Sequence, residues 1–452
     1  MSLAKVWETF QRIEREESLT DWKVAGVYLW PAMKTRLLRE VSESLGLLSA
    51  TEKQPSVFDI EKPKDSDVHL AKPGKHAYAV VPFVRRDKNG RDQFTDPIVD
   101  AMREAGFEPL VFGVGVCDDG TGRPSLERMM KLYSSKYRGY AIRRVLPAMV
   151  FGGSHKKRWA RVVGRIEAET GGKANRFKAF PRWMLVEFIS QEHGFANYFK
   201  AAGVKEVFIT NAYRRSLIAG AQRNSKVTEV QHGLISKQYP ELAWPNDPTP
   251  AYVPDEFWAW GKYWLENCDL PANTLGHIIG APPQVARLKR QANAKLPSSV
   301  LVISQPEQAA RILEATLDLA ARHPELQFSI KPHPKEITSS VLSLPANVKL
   351  LSATDNALQL IANAETVIGV YSTALVEALA LNCRVGVFNL PGVEHIQPII
   401  DRGDAKLLSG PTDFADLLRQ PLPKDDEITV HNRANYYYAD PVDLTSIFRN
   451  TR

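Results

Sequence analysis

Three short stretches hold residue types that can move a proton or grip a phosphate. In KPHP (331–334), Pro332 and Pro334 restrict the backbone on both sides of His333, and Lys331 adds a cation. An imidazole and an ammonium held this way can bind a phosphate or diphosphate; the same residues can also form a proline-braced turn with an exposed histidine. In GVYSTALVEA (369–378), Tyr371 turns the corner after an apolar run and Ser372 or Thr373 opens a helix. Hydroxyls and unbonded backbone N–H groups at a helix start form an anion site, and a serine there is also an ordinary cap. Glu377, one turn further, can bond a ribose or sugar hydroxyl, or be a plain helix residue. In TEVQHGLIS (228–236), His232 sits between Gln231 and Gly233, and the glycine allows a sharp turn. An imidazole titrates near neutrality, which suits a general base acting on a hydroxyl, although a strand-end histidine can be structural. Ser304 and Gln305, closing VLVISQPE, and Asp118 and Asp119 of CDDGTG (117–122) complete the set.

The elements that must position these residues follow from apolar patterning. HAYAVVPFV (76–84), EPLVFGVGV (108–116), VKEVFITN (204–211) and VTEVQHG (227–233) read as strands. Between the first two, TDPIVDAMREAGF reads as a helix capped by Thr95 or Asp96, with Pro97 near its first position. Later, SVLVIS, LQFSI, NVKLLS, ETVIGV and RVGVFN alternate with helical patterns in the same way. Such alternation specifies the α/β class, with parallel sheets covered on both faces. Ligands of doubly wound sheets lie beyond the carboxyl ends of the strands, and QHG, KPHP and YST each follow a strand.

Residues 120–200 read mostly as amphipathic helix, with GGSHKK and TGGKAN as breaks. Residues 1–75 read as an N-terminal helical segment and linker. In it Trp22, Tyr28 and Trp30 lie near Lys34, Arg36 and Arg39, as an interfacial patch or as a face packed on the first domain. Pro240 to Lys262 holds five prolines and three tryptophans and reads as an inter-domain crossing. The expected domains are therefore 76–245 on the acceptor side and 265–425 on the nucleotide side. A tail, 426–452, would cross back to the first.

Composition narrows the function classes. The chain of 452 residues is 44 % hydrophobic and 24 % charged, as in soluble globular enzymes. No apolar run approaches the roughly 20 residues of a membrane span, and the charged N-terminus lacks the pattern of a secretory signal. Cys117, Cys268 and Cys383 are too scattered for a metal pair or a disulfide framework, which fits a reducing cytoplasm. A net charge of +7 favours anionic partners. Part of it lies in SHKKRWARVVGRIE (154–167), either a solvated helix face or a contact for an anionic membrane or acceptor. Nucleic acid is not expected, for no zinc-finger spacing, RNP-type aromatic pattern or arginine-rich tail is present.

Taken in order, EVQHGLIS, PDEFWAWGKYW, HIIGAPP, SQPE, KPHPKE and VIGVYSTALVEALALNCRVGVFNLPGVEHIQP resemble GT-B glycosyltransferases of bacterial capsule and surface-polysaccharide biosynthesis. The resemblance covers roughly residues 200–405. The HP and Ser/Thr elements are similar to those of bacterial sialyl- and polysialyltransferases, and the QHG/HP pair resembles CDP-glycerol glycerophosphotransferases. This implies two facing Rossmann-like domains with a cleft between them. It also implies a CMP-, CDP- or UDP-linked sugar donor, a glycan or glycolipid acceptor, and a cytoplasmic enzyme, free or peripheral on the inner membrane face. By the same resemblance His333 and Lys331 would meet the donor phosphate, with Ser372 and Thr373 at the helix start. Tyr371, Glu377, Ser304 and Gln305 would line the donor side. His232 matches the catalytic histidine of the CDP-glycerol enzymes. The sialyltransferases use an acidic residue beside glycine instead, for which Asp118–Asp119–Gly120 is a superficial match. No DxD motif of the metal-dependent transferases stands out, so neither an essential metal nor a cofactor is expected. The alternatives are a polyol-phosphate transferase, a GT-B-fold nucleotide-sugar epimerase, or a non-catalytic assembly partner.

Overall fold

The computed structural model describes residues 2–47, 74–82, 91–113, 123–150, 152–210, 214–237, 239, 241–291, 295–334, 336, 344–422 and 433–451. The chain opens with α1 (Leu3–Glu16), a ribbon of β1 (Lys23–Val24) and β2 (Val27–Tyr28), and α2 (Leu29–Ser44). Trp22, Trp30 and Lys34 are 4 %, 0 % and 0 % exposed, so the aromatic face packs inward and is no interfacial patch. Lys34 Nζ lies 2.7 Å from Glu14 Oε2, and its charge sits over the rings of Trp7 and Trp244.

The first sheet comprises β3 (Tyr78–Val81), β4 (Leu110–Val111), β5 (Glu206–Ile209), β6 (Lys226–Val230), β7 (Glu256–Ala259) and β8 (Leu275–Ile278). Its order is β4-β3-β5-β6-β7-β8, parallel throughout. Helix α3 (Asp96–Glu104) connects β3 to β4. Its N-cap is Thr95, but Thr95 makes no side-chain cap bond. The upstream Asp92 instead fixes the turn that leads into the helix: its Oδ1 accepts from the N–H groups of Phe94 and Thr95 and from the Thr95 hydroxyl. A layer of α4 (Leu126–Lys136), α5 (Arg138–Val150), α6 (Gly153–Thr170) and α7 (Arg182–Ala202) leads to β5, and α8 (Arg215–Ala221) leads to β6. The expected break at GGSHKK falls between α5 and α6: Gly152 is the N-cap of α6, and the rest of the stretch is its first turn. Gly171, at φ +73°, ends that helix in the left-handed conformation that glycine adopts without strain.

The expected limit of this domain at residue 245 falls short of its last two strands. Thr228 pairs with Glu256 and Glu256 with Leu275, so the sheet runs through 278. Pro245, Pro248, Pro250 and Pro254, which suggested a crossing, occupy the loop before β7; the WAW that follows belongs to a buried strand and its exit.

After α9 (Lys262–Glu266) and α10 (Pro283–Arg290) comes the second sheet. It contains β9 (Leu296–Ile303), β10 (Gln327–Lys331), β11 (Val348–Leu350), β12 (Ala364–Gly369), β13 (Arg384–Phe388) and β14 (Lys406–Leu408). The order is β11-β10-β9-β12-β13-β14, again parallel. Helices α11 (Ala309–Arg322), α12 (Ala357–Asn363), α13 (Thr373–Ala380), α14 (Gln397–Asp401) and α15 (Pro411–Arg419) provide its connections. Val302, Val367, Ile368 and Val387, all at 0 % exposure, show why these strands read as unbroken apolar runs.

One apolar cluster joins the halves, running from Phe94, Ile235 and Trp260 to Ile303, Leu375 and Ile396. The last helix, α16 (Leu444–Arg449), packs on α3, with Phe448 against Tyr78 and Phe208. Two doubly wound Rossmann-like domains, the architecture expected of the GT-B class, are therefore present. Among the described residues no helix is long and apolar enough to cross a membrane, and no group of three or more His, Cys, Asp or Glu is placed to hold a metal ion.

Candidate active site

The second domain positions its candidates by side-chain bonds that begin where the strands stop. β9 and β12 are neighbours, and beyond their ends the Gln305 carboxamide continues the ladder. Its Nε2 donates to Tyr371 O at 2.8 Å and its Oε1 accepts from Tyr371 N at 3.0 Å. Ser372 is thereby delivered as the N-cap of α13, its Oγ accepting from Ala374 N at 3.2 Å. Ser372 and Thr373 are half-buried at this helix start, where backbone N–H groups favour negative charge.

The KPHP turn is fixed from two sides. Glu336 accepts from His333 N at 3.2 Å and from Ser304 Oγ at 3.1 Å, and donates its own N–H to His333 O. Lys331 is 5 % exposed, and its ammonium donates to the carbonyls of Pro332 at 2.9 Å and Ala353 at 2.8 Å. Two of its three donors therefore tie the turn to the loop after β11. Glu336 escaped the sequence reading, though its place three residues after His333, the spacing of a capping box, was a usable signal.

In the first domain, Gln231 is fully buried at the end of β6. Its Oε1 accepts from Trp260 N at 2.9 Å, and its Nε2 donates to Gly233 O at 3.0 Å. This holds the turn that carries the half-buried His232. Gly233 has open space where a Cβ would sit and no positive φ, so the turn owes its shape to Gln231 rather than to glycine's freedom.

The same loop reaches the second domain: Ser236 Oγ lies 3.4 Å from His395 Nδ1, and the His395 ring is 5.6 Å from that of Tyr371. Burial pushes the His395 imidazole below its usual pKa, so it is neutral at pH 7. Burial also keeps the Tyr371 phenol protonated. Gly392 lies against that ring at φ +102°, where a Cβ would come within 2.2 Å, so only glycine fits. His395 was likewise not singled out from sequence; its position after the strand RVGVF is what marks it.

The structure thus gathers His232, Ser304, Gln305, Lys331, His333, Tyr371, Ser372 and Thr373 at the carboxyl ends of the two sheets. Glu377, half-buried one turn into α13, lies near the buried Tyr438 and helps raise the pKa of that phenol. Asp118 and Asp119 lie outside the described residues. A cavity of about 460 Å³ sits at the opposite, amino-terminal end of the first sheet, lined by Asp21, Glu192, Asp247 and Tyr252 among others, and contains none of the candidates.

No protein-family model matches the chain, and no curated protein is similar to it in sequence. Several solved structures are similar to it in outline. A UDP-GlcNAc 2-epimerase from Neisseria meningitidis bound to UDP-GlcNAc is 14 % identical, covering 83 % of this chain and 99 % of its own, with a TM-score of 0.47. The glycotransferase of kitacinnamycin is 10 % identical over 84 % of this chain and 98 % of its own, with a TM-score of 0.47. The glycosyltransferase SnogD from Streptomyces nogalater is 13 % identical over 83 % and 98 %, with a TM-score of 0.43. Identity this low assigns no reaction.

Proposed function

We propose that this chain is a glycosyltransferase that moves a sugar from a CMP-, CDP- or UDP-linked donor to a hydroxyl of a surface glycan or glycolipid. The observation that supports this reading is the contact of Ser236 with His395. It joins the loop that follows His232 to the loop beside Tyr371, which supports a base and a phosphate site acting at one reaction centre. His232 takes the proton of the acceptor hydroxyl, a step worth about 10²–10⁴-fold in rate. His333, the Ser372 and Thr373 hydroxyls and the start of α13 stabilise the departing nucleotide phosphate. Lys331 acts by holding the KPHP turn, since its ammonium is engaged with carbonyls.

The test is chromatographic: the protein is incubated with each donor, with and without a glycan acceptor, and released nucleotide and product linkage are followed. Acceptor-dependent release with a new glycosidic bond is the expected result. A phosphodiester product means the polyol-phosphate transferase reading, and conversion of donor without acceptor means the epimerase reading. His232→Ala should abolish turnover while donor affinity stays within about twofold, because the loss falls on the transition state alone.

A further inference from the structure

Of the positive charge, two stretches carry all the excess. From Arg138 to Ile166 and from Thr170 to Val186 the chain has twelve Lys and Arg and no Asp or Glu, against a net charge of +7 for the whole protein. Three contacts bring these stretches together. Glu167 Oε1 accepts from Ala174 N at 2.8 Å, Trp159 Nε1 donates to Phe177 O at 2.7 Å, and the Phe180 ring meets Trp159 edge-on at 6.4 Å. Residues 174–180 therefore run antiparallel along α6, and Lys178, Arg182 and Trp183 arrive beside its first turns, where Lys156 and Lys157 stand. Leu146 lies one turn before the end of α5 at Val150, and the chain enters the first turn of α6 at Gly153.

We propose that this end of the helical layer docks on an anionic phospholipid bilayer. Lys156, Lys157, Lys178 and Arg182 are exposed and form no ion pair among the described residues, whereas Arg161 and Arg176 are tied to Glu17 and Glu40. Among them stand Leu146 and Trp183, 48 % and 42 % exposed. A dissolved polyanion would neutralise the cations and leave both apolar side chains in water. A bilayer takes both, with the rings and methyls at the acyl boundary and the cations on headgroup phosphates. The aromatic residues of the N-terminal segment cannot serve, because they are core. The inference is independent of the proposed reaction.

The full chain is sedimented with phosphatidylcholine vesicles, with and without about one third phosphatidylglycerol. Binding to the anionic vesicles, falling as salt rises, is expected. Combined Lys156→Glu, Lys157→Glu and Arg182→Glu should weaken it by at least about tenfold. Leu146→Ser with Trp183→Ser should weaken vesicle binding but leave heparin binding unchanged. Melting curves confirm folding, which these exposed positions do not threaten. Wild-type binding by the charge-reversed variant overturns the proposal. So does undiminished vesicle binding by the serine variant, which would make the face a site for polyanions of any kind.

Discussion

The Gln305 carboxamide does for Tyr371 what a neighbouring strand does for a peptide unit, and Ser372 inherits its placement from that pair of bonds. Ser372→Ala removes a cap and should cost about 1 kcal/mol by urea denaturation, in addition to any loss of nucleotide affinity. His395 gives the structure a pH dependence. Its folded pKa is depressed by burial, so its contribution to stability is complete above the unfolded value of about 6.5 and is lost as pH falls through the folded value. Stability should therefore decline as pH is lowered from about 6.5. His395→Gln should flatten that decline in part, the rest belonging to His193, which burial also holds low. A pH series of melting temperatures that is identical for wild type and variant would contradict this account of His395.

At the scale of elements, the buried pair of Lys34 and Glu14 locks α2 to α1. Removing one partner leaves the other charge in an apolar core, so Lys34→Ala should cost about 3–5 kcal/mol in the denaturation midpoint. Replacing both by apolar residues should be far milder. The alternation of strands and helices was legible in the sequence because parallel strands buried on both faces leave unbroken apolar runs, as in ETVIGV and RVGVFN. Strands β7 and β8 were not. EFWA is buried but only four residues long and follows a run of prolines, and LGHI is an edge strand exposed along its whole length, so neither stands out as an apolar run. The burial of Trp22 and Trp30 was open for a related reason: an amphipathic face looks the same whether it meets lipid or protein.

The whole molecule is closed by its C-terminus. Ala439 and Val442 bond to the backbone at Trp260 and Ile279, and Phe448 then fills the core beside Tyr78 and Phe208. Phe448→Ala should cost about 3–5 kcal/mol, read by denaturation, although it lies far along the chain from any candidate site. The meeting of His232 with the second domain's loops was legible only as a rule about strand ends. Its particulars rest on Gln231, Glu336 and His395, polar residues whose partners lie far away in sequence or on the backbone, and such pairings leave no periodic trace. The central claim is that the strand ends of the second domain hold a nucleotide donor by its phosphate. It is tested most directly by thermal stabilisation of wild type, His333→Ala and Ser372→Ala across CMP-, CDP-, UDP- and GDP-linked donors. One nucleotide class should stabilise the wild type, by about 2.7 kcal/mol at a hundredfold excess over Kd, and His333→Ala should lose most of that shift. Stabilisation by no donor, or equal stabilisation of wild type and His333→Ala, would contradict it.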